Sequence, residues 1–111
     1  MIEKTILDYL NNNDIEAYME RPSKPPSEYV LIEKTGSERR DLITTTTFAV
    51  QSYADTLYEA SLLNETVKQT MDEADTLEGV SASRLVSDYN FTNTAAKQYR
   101  YQAVYEITHK E

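Results

Sequence analysis

Gln98-Tyr99-Arg100-Tyr101-Gln102-Ala103-Val104-Tyr105-Glu106-Ile107-Thr108 alternates with hardly a slip. Tyr99, Tyr101, Ala103, Tyr105 and Ile107 fall on one side, and Gln98, Arg100, Gln102, Glu106 and Thr108 mainly on the other. A period of two sustained over this length describes a half-buried β-strand. A strand needs a partner, so a sheet must be assembled upstream, and the C-terminal segment is expected to be anchored in it rather than loose. The tyrosines add a large apolar face with a polar tip, which suits the margin between a core and a partner surface.

Working back along the chain, Ile2, Ile6, Tyr9 and Leu10 recur at helical spacing until Asn11-Asn12-Asn13-Asp14, residues that favour turns, stop the helix. Ile15 to Met19 reads as a short strand. Glu20 to Ser27 contains Pro22, Pro25 and Pro26, so it is an extended crossing through which no helix can run. Tyr29 to Thr35 is a β-rich run expected to end at Gly36, with the charged Ser37-Glu38-Arg39-Arg40-Asp41 as a hairpin-like connection to a strand over Leu42 to Tyr53. Branching at Cβ in Thr44 to Thr47 supports that strand.

Ser52-Tyr53-Ala54-Asp55 has the form of a capping box at the start of the main helix. Leu57, Ala60, Leu63, Val67, Met71 and Ala74 then form a stripe at intervals of three and four, with Glu59, Glu65, Lys68, Gln69 and Asp72 mostly outside it. Gly79 closes the segment, and Val80 to Tyr89 is a strand joined through Asn90 to Thr94 to the terminal strand. Short connections between consecutive strands favour antiparallel pairing. The expected fold is therefore α+β: a mixed or antiparallel sheet of four to five strands packed with two helices, in one domain spanning residues 1–111.

Composition narrows the function. There is no Cys, which excludes disulfides and thiolate metal sites, and nothing requires an oxidising compartment. The start of the chain lacks a basic, apolar secretory pattern, and no segment approaches the ~20 apolar residues of a membrane span. A soluble protein of the cytosol is expected, with Asn64-Glu65-Thr66 and Asn90-Phe91-Thr92 as chance sequons. Nineteen acidic against eleven basic residues give a formal charge of -8, which repels a phosphate backbone and suits a surface past which DNA slides without adhering.

Catalytic patterns are lacking. His109 is the only histidine and is expected to be solvent-exposed, so neither a nucleophilic triad nor a multi-histidine metal site can be assembled. Gly36 and Gly79 sit in no phosphate-binding loop. Ser52 has no base to activate it and reads as a helix cap. Asp72, Glu73, Asp75 and Glu78 do not have the spacing of a calcium loop, and as carboxylates near a helix C-terminus they oppose the macrodipole. They read as a solvated acidic face or as a surface for a channel or basic partner. Arg39 and Arg40 read as a solvated turn or as a grip on a neighbour's carboxylates. Neither an enzyme nor a cofactor is expected.

Glu20-Arg21-Pro22, then Glu28-Tyr29-Val30-Leu31-Ile32-Glu33-Lys34-Thr35-Gly36, Phe48-Ala49-Val50-Gln51-Ser52-Tyr53-Ala54, and Asp88-Tyr89-Asn90-Phe91 leading into Tyr99-Arg100-Tyr101-Gln102-Ala103 together resemble small tail-terminator, or tail-completion, proteins of long-tailed bacteriophages. The resemblance spans most of the chain as a pattern of strands, caps and turns. It implies a subunit of a homohexameric ring at the head-proximal end of the tail tube, made in the bacterial cytoplasm and carried in the virion. Such a ring stops tube growth, contacts the tail-tube protein and the head connector or stopper, and lets DNA pass without binding it; no membrane is involved. Cyclic rings use heterologous contacts between two different patches. Under this reading the loops at Pro22 to Ser27 and Ser37 to Asp41 are contact elements, Arg39 and Arg40 face a neighbour or the tube, and Asp72, Glu73, Asp75 and Glu78 face the lumen or a partner. Another head–tail connector component, or a small acidic adaptor or inhibitor binding a basic host protein, is the alternative expectation.

Overall fold

Twelve-residue strands set the dimensions of the molecule. At a rise of ~3.3 Å per residue, twelve residues span about 40 Å, which accounts for the long axis of a body 44 × 24 × 24 Å. The computed structural model describes residues 1–110. In chain order they form α1 (Ile2–Asn12), β1 (Ala17–Tyr18), β2 (Tyr29–Arg40), β3 (Ile43–Ala54), α2 (Leu57–Asp72), a 3-10 turn (Ala74–Thr76), β4 (Val80–Asn90) and β5 (Tyr99–Lys110).

The five strands make one mixed sheet in the order β1-β2-β3-β5-β4. β1 is parallel to β2, and every other pairing is antiparallel. β3 and β4 consequently run parallel to each other with β5 inserted between them, and α2 is the crossover that joins them. This is the α+β architecture expected from the sequence, with five strands and two helices. Both helices lie on one face. Ile6 and Leu10 of α1 and Val67 and Met71 of α2 close over Val30, Ile32, Phe48, Val50, Ala103, Tyr105 and Ile107, all essentially inaccessible to water. The registers Phe48↔Tyr105 and Val50↔Ala103 show why: alternate residues of adjacent strands stack on the same side.

Three local expectations are corrected. β2 does not end at Gly36; it passes through a bulge between Lys34 and Gly36 and continues to Arg40, which pairs with Ile43. The hairpin is closed by two residues, Asp41 and Leu42, both at positive φ (52° and 71°), the signature of a type I′ turn. The helix cap is not Ser52 but Thr56, whose Oγ1 accepts from the Glu59 amide at 3.1 Å while its hydroxyl donates to the Glu59 carboxylate at 3.1 Å. Pairing with β5 holds the chain extended as far as Ala54↔Tyr99, so Ser52 stays in the sheet, fully buried and with no partner for its hydroxyl among the described residues.

His109 is likewise buried, at 7% exposure, because β5 continues past Thr108 to Lys110 and keeps the imidazole on the helix-covered face. Along α2, Ala60, Val67 and Met71 are buried as expected, joined by Ala74 in the 3-10 turn, but Asn64 shares that face and Leu57 is 40% exposed. The Asn64 amide nitrogen donates to Asp88 Oδ1 at 2.7 Å, while its own Oδ1 is buried without a partner among the described residues.

Candidate interaction surfaces

Because β2 runs to the turn, Arg39 and Arg40 are consecutive strand residues and point to opposite faces of the sheet. Arg39 pairs with Thr44 on the helix-covered side. Arg40 lies on the uncovered side, where it lines a shallow concavity with Glu38, Asp41, Ile43 and Thr45. The two guanidinium groups therefore cannot form one fork at a loop tip, and neither makes an ion pair among the described residues. Beyond them, Leu42 is 72% and Ile43 50% exposed, so the hairpin ends in two open apolar side chains flanked by Arg39 and Arg40 and by the carboxylates of Glu38 and Asp41.

The four carboxylates of the 72–78 segment are spread rather than gathered. Asp72, the last residue of α2, accepts from the hydroxyl of Tyr105 at 2.7 Å. Burial, followed by that hydrogen bond, holds the Tyr105 phenol far above its ordinary range. Asp72 thus serves a core tyrosine. Glu73 and Asp75 lie near Tyr9, whose hydroxyl donates to the Thr70 carbonyl at 2.7 Å; burial chiefly, then their negative charges, raise that phenol as well. Glu78 borders a separate small cleft with Met1, Val80, His109 and Lys110. Among the described residues no three acidic or histidine side chains are grouped to hold a metal ion.

Thr46 Oγ1 stands 2.8 Å from His109 Nε2, a separation suited to a hydroxyl activated by a base. Thr46 is 1% exposed and His109 7%, and the imidazole borders the small cleft lined by Met1, Glu78, Val80 and Lys110. The contact satisfies two buried polar groups across β3 and β5.

The uncovered face carries an ordered array that periodicity alone does not reveal. Tyr29 and Tyr53, opposite each other on β2 and β3, stack with ring centroids 4.7 Å apart. Arg100 lies over the Phe91 ring at 4.3 Å and donates to the Tyr53 hydroxyl at 3.0 Å. Gln51 donates to Gln102 at 2.7 Å, and Gln102 donates to the Tyr89 hydroxyl. Neighbouring strands are tied together by this network, which leaves Tyr29, Tyr53 and Gln102 largely buried by one another and their surroundings. The signal was present in the polar members of the alternation, Arg100 and Gln102, which read as mere solvent contacts until their cross-strand partners are known.

A second surface lies on the outer side of α2. Tyr58 is 73% and Leu62 49% exposed, and with Leu63, Thr66, Glu28 and Glu59 they line a groove of about 540 Å³. Large apolar side chains left open in this way mark association surfaces more often than catalytic clefts. No helix among the described residues is long and apolar enough to cross a membrane. No protein-family model matches the chain, and no curated protein does so either.

Proposed function

We propose that this chain is a structural assembly subunit, a ring-forming tail terminator of a long-tailed phage, as its sequence resemblance implies. The observation that carries the reading is the dissimilarity of the two margins of the sheet. One margin is β4 along its whole length. The other is β2, which β1 covers only at Val30 and Leu31, leaving Ile32 to Arg40 without a strand on that side. Two unlike margins give each copy two different sides, as a head-to-tail contact requires; bulges in both oppose strand addition, so side chains define the patches, and such contacts build rings when the rotation closes. The excess of negative charge suits a channel wall that must not retain DNA.

In this reading the terminator ring sits between the tail-tube protein and the head connector, and its subunits work by fit rather than by chemistry. Arg39 and Arg40 serve a contact with a neighbour or the tube, and Glu73, Asp75 and Glu78 an outward acidic surface, whereas Asp72 is committed to Tyr105. Mass photometry and negative-stain imaging of the purified chain are expected to show closed rings. Phage lacking the chain should make tails of aberrant length that fail to join filled heads; normal tails on filled heads would refute the proposal.

A further inference from the structure

We infer that the Asp41-Leu42-Ile43 turn is a knob that seats in the α2 groove of a second copy of the chain. This deepens the ring reading and rests on it. Leu42 is the anchoring observation. A type I′ turn favours Asn-Gly or Asp-Gly, since both central residues need positive φ, yet a γ-branched side chain occupies the second position at φ 71°. Left-handed backbone in a bulky residue is unfavourable and persists where something else is gained. Within the monomer nothing is gained, because Leu42 is 72% exposed and Ile43 beside it 50%.

The groove on α2 has the complementary character. Its floor is apolar, from the exposed Tyr58 and Leu62 and the partly buried Leu63, and its rim carries Glu28 and Glu59. The knob is apolar at its tip and flanked by Arg39 and Arg40, with Glu38 and Asp41 also nearby. Arginine paired with carboxylate around an apolar centre is the arrangement that combines burial with orientation.

Geometry assigns the knob to another molecule. The turn is at the end of the sheet where Ile43 pairs with Lys110, whereas α2 begins just after Ala54, which pairs with Tyr99 at the opposite end. Knob and groove are therefore separated along the long axis, on different elements, and both stand open. Contact between unlike patches is heterologous, so one copy's knob fills the next copy's groove around a ring.

Cysteine pairing tests this cleanly, because the chain has no native Cys. Leu42→Cys mixed with Leu62→Cys should cross-link into mixed dimers under oxidation, since a disulfide needs Cα atoms about 4.4–6.8 Å apart, while either variant alone should stay uncross-linked. Leu42→Asp and Leu62→Asp should each weaken association at least about tenfold, the scale of a hot-spot side chain. Both positions are exposed, so circular dichroism should show unchanged folding. Mixing the two Asp variants should restore one contact per pair and give dimers without rings. The inference is overturned if the mixed cysteines fail to link, if Leu42→Cys links to itself as readily, or if either Asp variant assembles like the wild type. In that last case rings persist and the assembly reading stands alone; cross-linking by the cysteine pair without any ring would instead sink the ring and keep the contact.

Discussion

Replacing Leu42 by Gly should make the isolated subunit more stable, a direction opposite to that of most substitutions. A left-handed backbone costs roughly 1–2 kcal/mol in a residue with a Cβ, and glycine removes that penalty at φ 71°. Glycine also loses more freedom on folding, which offsets about 0.5–1 kcal/mol. Leu42 is 72% exposed, so little burial is forfeited. The net gain is about 1 kcal/mol, and it converts Asp41-Leu42 to the favoured Asp-Gly turn. For a chain of 111 residues that corresponds to a rise in Tm of roughly 4 °C. Urea unfolding followed by far-UV circular dichroism, at a dilution where association does not contribute, should shift the midpoint upward with the slope unchanged. The same variant should associate more weakly than the wild type. A lower or unmoved midpoint would refute the reasoning, because it would mean that the leucine side chain stabilises its own subunit.

Ser52→Ala should be neutral or stabilising by up to about 1 kcal/mol, as it removes a buried hydroxyl that has no partner; chemical denaturation would reveal a loss instead if that hydroxyl is satisfied. Tyr105→Phe should lose about 1 kcal/mol near neutrality, through the hydrogen bond to Asp72. Its alkaline behaviour is more diagnostic. The folded phenol keeps a proton that the unfolded chain releases near 10.0, so its contribution is intact below that pH and declines as pH rises beyond it; stability curves for the Phe variant should therefore fall less steeply in alkali. Deleting Val86, the extra residue of the bulge between Leu85 and Ser87, should straighten β4 and provoke fibrillar aggregation, measured by dye binding and light scattering; an unaltered aggregation rate would show that the bulge does not protect the edge.

The parts of the fold that were legible in the sequence are those governed by long periodicities. Tyr101 to Ile107 announces β5 because one face of the sheet is buried and the other is not, and Ala60, Val67 and Met71 announce α2 for the same reason. The hairpin turn is hard to place from sequence because it contains no glycine, whereas Gly36, which has the look of a turn residue, marks a bulge. Two capping patterns, Ser52 with Asp55 and Thr56 with Glu59, lie four residues apart, and only strand pairing at Ala54 decides between them. Asp72 looked like one of four solvated carboxylates, since nothing local reveals a tyrosine 33 positions away that needs an acceptor. The groove on α2 was hidden for a related reason: its Leu57-to-Leu63 stretch has enough apolar residues for two faces, and the sheet uses only one.

The treatment of the sheet margins bears on how copies would meet in the proposed ring. An unpaired strand invites addition of another, yet β4 is interrupted by bulges after Val80 and after Leu85, and β2 by one after Lys34. Each bulge bends its strand and breaks the ladder that a new strand would have to extend. β2 and β4 run in opposite directions, so a rotation about an axis along the strands would bring them together antiparallel, and a smooth pair of edges in that geometry would propagate as readily as it closed. Blunted edges leave side chains to define the contact. In the proposed ring, a knob at one end and a groove at the other would fix a single angle between neighbours, and a fixed angle is what separates a ring of defined size from an open fibre. The strain at Leu42 is consistent with this division of labour: the turn is less stable than an Asp-Gly hairpin would be, and it presents an apolar side chain that the hairpin could not otherwise offer.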